Sequence, residues 1–443
     1  MLYRKIQETI KYYLTHDSNK IMIIDGARQI GKSYIIRYVA TELLKDKYPN
    51  YIEINFATDS IQERVFSNVS SVNDFYFKLS TVAGEKMRDK ASTLVFLDEI
   101  QAYPQFLTLL KFLKQDDRFT YICSGSLLGV TLFKTPSIPI GSIDVRHMYP
   151  LDFEEFLLAN GFNNYAIQTL KEKYLNLQSL DETTHNKVLD LFKKYLLVGG
   201  LPDAVNSFLS TNNIVEIRKI QDDIYNYYKD DASKYDIEHK LKISRVYDTI
   251  PSNLENRKKR VIAKNIEHKE GARLSSYQDE FDYLINAGIA LEVKAISQPV
   301  FPLVSSSVKN LLKLYLNDVG ILTNILFKNN IQPILNNQLS LNLGTVYESV
   351  VASELMAHNH PLFYYDNKSN GEVDFLVDDY DSLSVLPLEI KSGKDYKEHS
   401  AINKFLNNKI DYSVKKAYVL SNNRLVSRNQ DIIYLPIYYI MFI

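Results

Sequence analysis

Residues 21–35 read IMIIDGARQIGKSYI, and this stretch decides the fold of the N-terminal part of the chain. Within it, residues 26–33 fit the pattern G-x-x-x-x-G-K-[ST] and directly follow a short apolar run, 21–24. A strand, a glycine-rich loop and a helix in this order are the context in which the pattern holds phosphate groups. The stretch therefore predicts a phosphate-binding loop, with a plain glycine turn between strand and helix as the alternative.

The predicted loop indicates ATP and Mg²⁺ as cofactors. Its backbone N–H groups and the positive end of the following helix would hold the β-phosphate, while Lys32 neutralises the β and γ oxygens and Ser33 ligates Mg²⁺. We expect the nucleotide to contact the loop, the next residue of the helix and one hydroxyl from a later strand end. The candidate nucleotide-binding residues are Gly26, Ala27, Arg28, Gln29, Ile30, Gly31, Lys32, Ser33, Tyr34 and Ser126.

A second element of the predicted site is TLVFLDEIQ, residues 93–101, an apolar strand that ends in two acids. A carboxylate at the C-terminal end of such a strand can hold Mg²⁺ through water, and the next carboxylate can orient or deprotonate the attacking water. We assign Asp98 to the metal and Glu99 to water activation, with Lys32 as a further catalytic residue. Taken alone, a strand that ends in two acids is also common in ordinary structure.

A third predicted strand, FTYIC, ends in Ser124, Gly125 and Ser126. The hydroxyl of Ser126 would lie near the γ-phosphate and sense its hydrolysis. The alternative is a turn of small residues with no role in chemistry.

Composition excludes some classes of protein. The 443 residues are enough for two to four domains. With 52 Lys and Arg against 53 Asp and Glu, no global positive field draws the chain to nucleic acid or an anionic membrane. The single cysteine, Cys123, excludes an internal disulfide and fits a reducing, cytoplasmic compartment. The sequence indicates neither a signal peptide nor a membrane span.

The pattern of apolar residues divides the chain. Up to about residue 156, short apolar runs alternate with amphipathic segments, which predicts parallel strands joined by crossover helices. From 151 to about 231 the pattern is helical. Residues 237–296 hold three shorter helical stretches and end in LEVKAI, 291–296, which fits a short β-wing before a boundary near 305. The remainder has a mixed α/β order.

The C-terminal part carries a second chemical pattern, in NGEVDFLV and LPLEIKSG. Glu389 and Lys391 lie two positions apart on a predicted strand, so both side chains leave the same face, and Asp374 on the preceding strand would converge on them. Two acids and a lysine in this arrangement can bind Mg²⁺, position a water and stabilise a phosphate under in-line attack. The pattern predicts a nuclease site with Asp374, Glu389 and Lys391 as catalytic residues; an ordinary surface ion-pair cluster is the alternative.

Glu348 adds a fourth residue to this predicted site. In VYESVVASEL it heads a helix face that continues with the apolar residues Val351, Ala352 and Leu355. A carboxylate at the head of such a face needs a partner, and we assign Glu348, Asp374 and Glu389 as metal ligands. The alternative is a first-turn glutamate that the helix dipole favours.

The strongest local excess of positive charge lies between residues 255 and 273, where seven basic residues face three acids. A basic helix there would place lysines on the phosphates of DNA, and a solvated helix face is the alternative. The basic residues are Arg257, Lys258, Lys259, Arg260, Lys264, Lys269 and Arg273.

Six motifs occur in a characteristic order: GARQIGKS, LDEIQ, SGSLLG, YPLDFEEFL, LLVGGLPDAV and LYLNDVGIL. With these motifs the chain resembles the archaeal-type AAA ATPases, which join an N-terminal P-loop domain to a C-terminal domain of uncharacterised function. The resemblance implies a helical lid, a winged-helix-like unit and a C-terminal domain with the PD-(D/E)XK nuclease fold. Many members carry a Gly followed by a basic residue before YPLDF. This chain has Gly141 and Ser142 at those positions, and Arg146 is only a weak substitute for the missing basic residue.

The predicted fold class is therefore α/β: a P-loop NTPase parallel sheet with a helical lid, a winged-helix-like middle unit and a C-terminal α/β restriction-endonuclease-like domain. The predicted segments are 1–156 for the P-loop AAA-type ATPase core, 157–235 for the lid, 236–304 for the winged-helix-like unit and 305–443 for the nuclease-like domain.

Three functions remain open at this stage, all with ATP binding and Mg²⁺-dependent hydrolysis in common. The chain is an ATP-regulated DNA-processing nuclease, a DNA-binding switch whose C-terminal domain only binds, or a signalling switch for a protein partner with an inactive C-terminal domain. DNA would be bound through 257–273 and the C-terminal domain. We expect no membrane partner, and oligomerisation stays open.

Overall fold

The computed structural model describes residues 1–57, 65–126, 128–129, 141–235, 240–256, 258–336, 343–367, 371–393, 397, 399–408 and 412–443; of residues 232–235, 240 and 309–310 it describes the backbone only. The chain forms two compact units. The N-terminal unit comprises Tyr3–Tyr149 with Met1 and Asn286–Gly288, and the C-terminal unit comprises Pro150–Ile285 and Ile289–Ile443 with Leu2. The four predicted segments stay a prediction, because this division separates only two units.

The described part of the N-terminal unit contains a five-stranded sheet in which all neighbouring strands are parallel, in the order β2-β3-β4-β1-β5. The predicted parallel α/β sheet is confirmed. Its strands are β1 Ile21–Asp25, β2 Asn50–Asn55, β3 Thr93–Asp98, β4 Thr120–Gly125 and β5 Ile143–His147. The helices beside it are Ile6–Thr15, Lys32–Tyr38 with a π-helical continuation Val39–Leu43, Val72–Ala83 and Gln105–Asp116, and short 3₁₀ turns span Gly84–Lys86 and Ile100–Ala102.

The inner strands β1, β3 and β4 form because their residues are mostly apolar on both faces, whereas the edge strands β2 and β5 carry partly exposed polar residues. Every residue of β1 and β3 is buried, as expected for a parallel sheet that is covered by helices on both sides. Since all strands run the same way, their carboxyl ends share one edge, where Asn55 lies opposite Asp98 and Asp25 opposite Gly125. That edge gathers the polar residues of the predicted nucleotide site.

The first half of the C-terminal unit is helical, as predicted for residues 151–231. The first helix begins with a capping box in which Asp152 and Glu155 bond each other's backbone N–H groups. From residue 150 onward, the helices are Phe153–Ala159, Asn164–Leu175, Glu182–Val198, Pro202–Thr211, Ile214–Tyr235, Lys240–Glu255, Ala263–Glu267, Gln278–Asn286, Val319–Phe327, Gln332–Leu335, Gly344–Ala357 and Ser400–Asn407, with 3₁₀ turns Leu274–Tyr277, Leu303–Ser306 and Ile437–Phe442.

No helix of the described residues is both long and apolar enough to cross a lipid bilayer.

The described residues of this unit also form an eight-stranded mixed sheet in the order β12-β13-β11-β10-β9-β8-β6-β7. Its strands are β6 Ala290–Ile296, β7 Ser307–Leu316, β8 Phe363–Asn367, β9 Gly371–Asp379, β10 Ser384–Lys391, β11 Ala417–Ser421, β12 Ser427–Asn429 and β13 Ile432–Pro436. The pairs β6–β8, β10–β11 and β11–β13 are parallel, and the others are antiparallel.

The expectation of a β-wing at residues 291–296 is corrected by this pairing. The segment lies in β6, which bonds β7 on one side and β8 on the other, so it is an inner strand of the C-terminal sheet. The sheet thus begins before the predicted boundary near 305. The physical reason is that a short strand pattern fixes the faces of a strand but not its partners.

Two of the recognised motifs, LLVGGLPDAV and LYLNDVGIL, meet at Asp318. Its carboxylate accepts hydrogen bonds from the backbone N–H of Gly200 at 2.6 Å and of Ile321 at 3.0 Å, which caps the helix Val319–Phe327. A Cβ at Gly199, where φ is +73°, would collide with the same carboxylate. These motifs therefore hold the helical part of the C-terminal unit together and have a structural role.

Replacing Asp318 with alanine should lower the free energy of unfolding by about 2–3 kcal/mol, because two buried N–H groups lose their acceptor. Denaturant titration followed by tyrosine fluorescence measures the change, since the chain has 32 Tyr and no Trp. The control is Asp203→Ala, which removes an exposed acid from the first turn of the helix Pro202–Thr211. Equal stability of the two variants would contradict the role of Asp318.

Candidate functional site

The loop between β1 and the helix Lys32–Tyr38 has the backbone of a phosphate-binding loop. Gly26 has a φ of +145°, and a Cβ there would collide with the carbonyl oxygen of Met148. Gly31 has a φ of +91° at the N-cap of the helix. Only glycine adopts these conformations without strain, so both fixed glycines of the motif are required by the backbone.

Lys32 lies inside this loop. The side chain is 5% exposed, and its Nζ donates hydrogen bonds to the carbonyl oxygens of Gly26 at 2.9 Å and Ala27 at 2.7 Å. Burial lowers the pKa of Lys32, while the nearby carboxylates of Glu99, Asp25 and Asp98 oppose that shift. A buried cation held by the carbonyls of a glycine-rich loop fits the predicted phosphate contact.

Arg4 supports the loop from the N-terminal segment and was not among the predicted site residues. Its Nη1 donates to the carbonyl oxygen of Ile30 at 3.0 Å, and its Nη2 donates to the carbonyl oxygen of Tyr149. The backbone N–H of Met148 in turn donates to the carbonyl oxygen of Asp25 at 2.8 Å. The loop is therefore tied to residues 148–149, which come at the end of the N-terminal unit.

The predicted metal ligands of the loop, Ser33 and Asp98, are in direct contact. The Ser33 hydroxyl donates to Oδ1 of Asp98 at 2.8 Å, Ser124 donates to the same oxygen, and Asn55 Nδ2 donates to Oδ2 at 2.9 Å. Burial raises the pKa of Asp98, and the two hydroxyl donors oppose the shift. Mg²⁺ beside phosphates takes few protein ligands, so one hydroxyl and one carboxylate side by side fit this ion.

Glu99 leaves β3 in a left-handed conformation, with φ at +54°. Its Oε2 accepts hydrogen bonds from the Ser126 hydroxyl at 2.6 Å, from the Ser126 N–H at 3.3 Å and from Nε2 of Gln101. Burial opposes ionisation, but Lys32 and these donors outweigh it and lower the pKa of Glu99. The structure thus provides a fixed, ionised carboxylate beside Lys32. Ser126 contacts Glu99, and its predicted contact with the nucleotide stays a prediction.

Three residues of this edge, Asn55, Ser124 and Gln101, were missing from the predicted site. Asn55 and Ser124 end the strands on either side of β3, and register alone places Asn55 opposite Asp98. Polar residues at the carboxyl ends of neighbouring parallel strands are a signal that would have found both. Of the remaining predicted residues, Tyr34 is exposed, and Arg146 pairs with Asp144 at 3.0 Å in the same strand.

The predicted C-terminal site residues do converge. Asp374 on β9 accepts a hydrogen bond from the backbone N–H of Ile390 on β10 at 2.8 Å, and Lys391 pairs with Oε1 of Glu389 at 2.9 Å. Burial, and next the charges of Glu348 and Glu389, raise the pKa of Asp374 well above its usual range. Oε2 of Glu389 is buried and has no hydrogen-bond partner among the residues that the structure describes. Asp374, Glu389 and Lys391 therefore lie on neighbouring strands, and Glu348 is close enough to affect the pKa of Asp374.

Lysines from the same unit occupy this cluster. Lys259 forms an ion pair with Oε1 of Glu348, and the Tyr315 hydroxyl donates to Oε2 at 3.0 Å. Lys313, which is fully buried, pairs with Glu372, and its Nζ lies 4.4 Å from the centre of the Tyr364 ring. Neither lysine was predicted for the site, because both reach it from segments distant in sequence.

The predicted ligand set Glu348, Asp374 and Glu389 is not assembled as a metal centre. Among the residues that the structure describes, no group of three or more His, Cys, Asp or Glu side chains is arranged to hold a metal ion. The physical reason is that the Glu348 carboxylate is neutralised by Lys259 and bonded by Tyr315. Whether the set binds a metal stays a prediction.

The basic segment predicted as a DNA surface is largely paired with acids of its own unit. Lys258 lies 3.5 Å from Oδ2 of Asp366, to which Arg260 also donates, and Lys264 pairs with Glu270 at 2.9 Å. Lys269 and Arg273 are exposed, and Arg257 lies outside the described residues. The segment therefore presents less free positive charge than its sequence indicates, and DNA binding stays a prediction.

Three family models match parts of the chain. Residues 18–157 match an AAA domain (AAA_14), residues 189–332 match a domain of unknown function (DUF8612), and residues 343–440 match another domain of unknown function (DUF4143). Two uncharacterized proteins of Methanocaldococcus jannaschii are similar in sequence. One is 25% identical over 374 residues, which cover 81% of this chain and 72% of that protein. The other is 23% identical over 210 residues, 46% of this chain and 42% of that protein.

The chain is also similar to solved structures, but with low TM-scores. The Walker-type ATPase PABY2304 of Pyrococcus abyssi has a TM-score of 0.42 at 13% identity, over 73% of this chain and 95% of its own. The S. cerevisiae Hsp104-ADP complex has a TM-score of 0.30 at 14% identity, over 65% and 43%. These scores are too low to assign an activity. Residues 18–157 are thus similar to an AAA domain, and the loop, Asp98 and Glu99 lie within that range.

Proposed function

We propose that the chain binds ATP with Mg²⁺ and hydrolyses it, and that the nucleotide state controls DNA binding or processing by the C-terminal unit. The observation that carries the first part is the contact of Ser33 with Asp98 beside the buried ammonium of Lys32. These are the three protein groups that a magnesium–triphosphate needs, and the fold brings them to one edge of the sheet from two segments, the loop at 32–33 and the end of β3.

Each residue has a distinct role in this proposal. The loop N–H groups and Lys32 bind and orient the β and γ phosphates. Ser33 and Asp98 would hold Mg²⁺, which supplies charge neutralisation of the phosphate oxygens when bound. Glu99, fixed by Ser126 and Gln101, positions the attacking water and accepts its proton. Asn55 and Ser124 keep the Asp98 carboxylate in place.

The second part of the proposal is supported by the C-terminal cluster. Asp374, Glu389 and Lys391 lie together on neighbouring strands, and Glu348 faces them from the helix Gly344–Ala357. Such a cluster suits phosphodiester chemistry, and we propose the three strand residues as its catalytic groups. The alternative is that the C-terminal unit is catalytically inactive and binds a protein partner under control of the nucleotide.

The experiment that tests this proposal is steady-state phosphate release by the purified chain with Mg²⁺, with and without single-stranded and double-stranded DNA, at two salt concentrations. We expect DNA to raise turnover by about threefold or more at low salt and less at high salt, because phosphate contacts release counterions. The DNA is followed on a gel in the same samples, which separates cutting from binding alone.

The outcomes separate the alternatives. Turnover without Mg²⁺, or none in any sample, would contradict the ATPase proposal. Turnover that DNA does not change, together with intact DNA, would contradict DNA processing and favour the switch for a protein partner. Stimulation with intact DNA would show that the C-terminal unit binds without cutting.

A further inference from the structure

A cavity of about 400 Å³ lies at the amino edge of the N-terminal sheet, opposite to the proposed nucleotide site. Ile21 and Thr120, the first residues of β1 and β4, line this amino-edge cavity, whereas the phosphate loop follows the last residue of β1. At about 3.3 Å per residue, the length of β1 separates the two edges by roughly 13 Å. The cavity is therefore a separate feature of the same unit.

The floor of the amino-edge cavity is apolar and aromatic. Two hydrogen bonds hold it in place: the Tyr13 hydroxyl donates to the carbonyl oxygen of Tyr121 at 2.7 Å, and the Tyr48 hydroxyl donates to that of Leu14 at 2.7 Å. A preformed floor of this kind offers a surface for a ring or a hydrocarbon group. Its buried residues, none of them more than 4% exposed, are Leu14, Ile21, Tyr48, Phe119 and Tyr121.

Three lysines from three separate segments line the same cavity. Lys47 precedes β2, Lys90 precedes β3, and Lys114 lies in the last turn of the helix Gln105–Asp116. The Nζ atoms of Lys90 and Lys114 lie 2.7 Å and 2.9 Å from the two carboxylate oxygens of Asp117. One carboxylate therefore holds two of the ammonium groups close together.

The third ammonium group has no acid beside it. Lys47 Nζ donates to the carbonyl oxygen of Leu14 at 2.8 Å, and it has no carboxylate partner among the residues that the structure describes. Asp17 approaches Lys90 at 3.5 Å, but its side chain is 98% exposed. Three ammonium groups thus face two acids, so the lining carries an excess of positive charge.

The ammonium groups also keep hydrogen-bond donors in reserve. Each lysine ammonium carries three N–H groups. Lys47 uses one of them on a carbonyl, and Lys114 uses one on Asp117. Both lysines therefore have N–H groups that bond no acceptor within the described part of the chain. A cavity with spare donors and excess positive charge suits an anion.

We propose that the amino-edge cavity binds a small organic phosphate, with its ring or hydrocarbon group on the apolar floor and its phosphate between Lys47, Lys90 and Lys114. Lysines act as point charges that suit the terminal oxygens of a phosphate, whereas planar carboxylates are recognised best by arginine. None of the described residues that line the cavity is an arginine. The inference goes beyond the proposed function and does not rest on it.

The test is the binding of phenyl phosphate to the full chain, measured by calorimetry with saturating ADP and Mg²⁺ so that the phosphate loop is not free to take the probe. We expect a Kd below about 1 mM, and at least about tenfold weaker binding of inorganic phosphate and of phenol, since each lacks one of the two groups. Inorganic phosphate that binds as tightly as phenyl phosphate would overturn the organic ligand, and so would the absence of binding.

The double variant Lys47→Met/Lys114→Met removes two of the three charges and keeps the apolar part of each side chain. It should bind phenyl phosphate at least about tenfold more weakly than the wild type, because two charge-assisted contacts are lost. The matched control is Lys45→Met/Lys111→Met, which changes two exposed lysines of the same two segments that do not line the cavity. Equal affinity of the two double variants would overturn the inference.

Lys32→Ala separates this inference from the proposed function, because it changes the phosphate loop at the other edge of the sheet. Without nucleotide, it should bind phenyl phosphate as the wild type does. Binding that Lys32→Ala removes and Lys47→Met/Lys114→Met keeps would place the probe in the phosphate loop and overturn the inference. A chain that binds phenyl phosphate through Lys47 and Lys114 but hydrolyses no ATP would contradict the ATPase proposal alone.

A second measurement uses the wild type, and it decides the matter if the lysine variants unfold. Acetylation of lysines is followed by mass spectrometry with and without phenyl phosphate. The labelling of Lys47, Lys90 and Lys114 should fall at least about threefold at saturating probe, because the bound phosphate covers their amines. The labelling of the exposed Lys20 should stay constant. Unchanged labelling of all three cavity lysines would overturn the inference.

Discussion

Lys32→Ala should reduce ATP hydrolysis by at least about 100-fold, because the variant loses the buried loop ammonium that we propose neutralises the β and γ phosphate oxygens. Steady-state phosphate release measures the loss. The removal also leaves the buried Glu99 without its nearby cation and the carbonyl oxygens of Gly26 and Ala27 without a donor, so the stability of the variant is measured as well. Thermal unfolding checks this point.

The matched control is Lys20→Ala, an exposed lysine just before β1. It removes the same charge from the same unit without touching the loop, so its turnover should equal that of the wild type. Undiminished turnover in Lys32→Ala would contradict the assignment of the loop as the nucleotide site.

Glu99→Gln should lower kcat by about 100- to 1,000-fold while nucleotide binding changes little, because an amide of the same shape cannot accept the proton of the attacking water. Binding is measured with a fluorescent ATP analogue and turnover by phosphate release. Lys32 and the donors Ser126 and Gln101 outweigh burial and lower the pKa of Glu99. The wild-type rate should therefore show no titration of Glu99 near neutral pH.

For this prediction the control is Glu85→Gln, an exposed residue in the turn Gly84–Lys86 of the same unit. It should keep the wild-type kcat. A Glu99→Gln variant that also keeps it would mean that Glu99 is only a structural partner of Gln101 and Ser126. Loss of nucleotide binding together with kcat would mean that the variant disturbs the loop.

The prediction of the nucleotide site rests on local signals in the sequence. The glycine pattern at 26–33 and the acids that end an apolar strand each occupy one short segment, and parallel strand order follows from their alternation with helices. The supporting residues were not readable in the same way. Arg4 acts on backbone carbonyls more than twenty residues away, and a carbonyl leaves no trace in a sequence pattern.

In the C-terminal cluster, too, sequence patterns did not predict contacts between distant segments. Side-chain periodicity decides which residues share a face of β9, β10 and the helix Gly344–Ala357. It was the basis for grouping Asp374, Glu389, Lys391 and Glu348, and their role stays a prediction. The same patterns did not predict which cations pair with those carboxylates. Lys259 was predicted to face DNA, and charge density along the chain cannot tell a cation that faces solvent from one that turns inward to an acid.

The hydrogen bonds between the phosphate loop and residues 148–149 have a consequence for the backbone where the N-terminal unit ends. A Cβ at Gly26 would collide with the carbonyl oxygen of Met148, and Arg4 donates to the carbonyl oxygens of both Ile30 and Tyr149. The next residue is Pro150, whose ring fixes its φ angle. The chain therefore leaves this anchored peptide through a residue with a single freely rotating backbone angle.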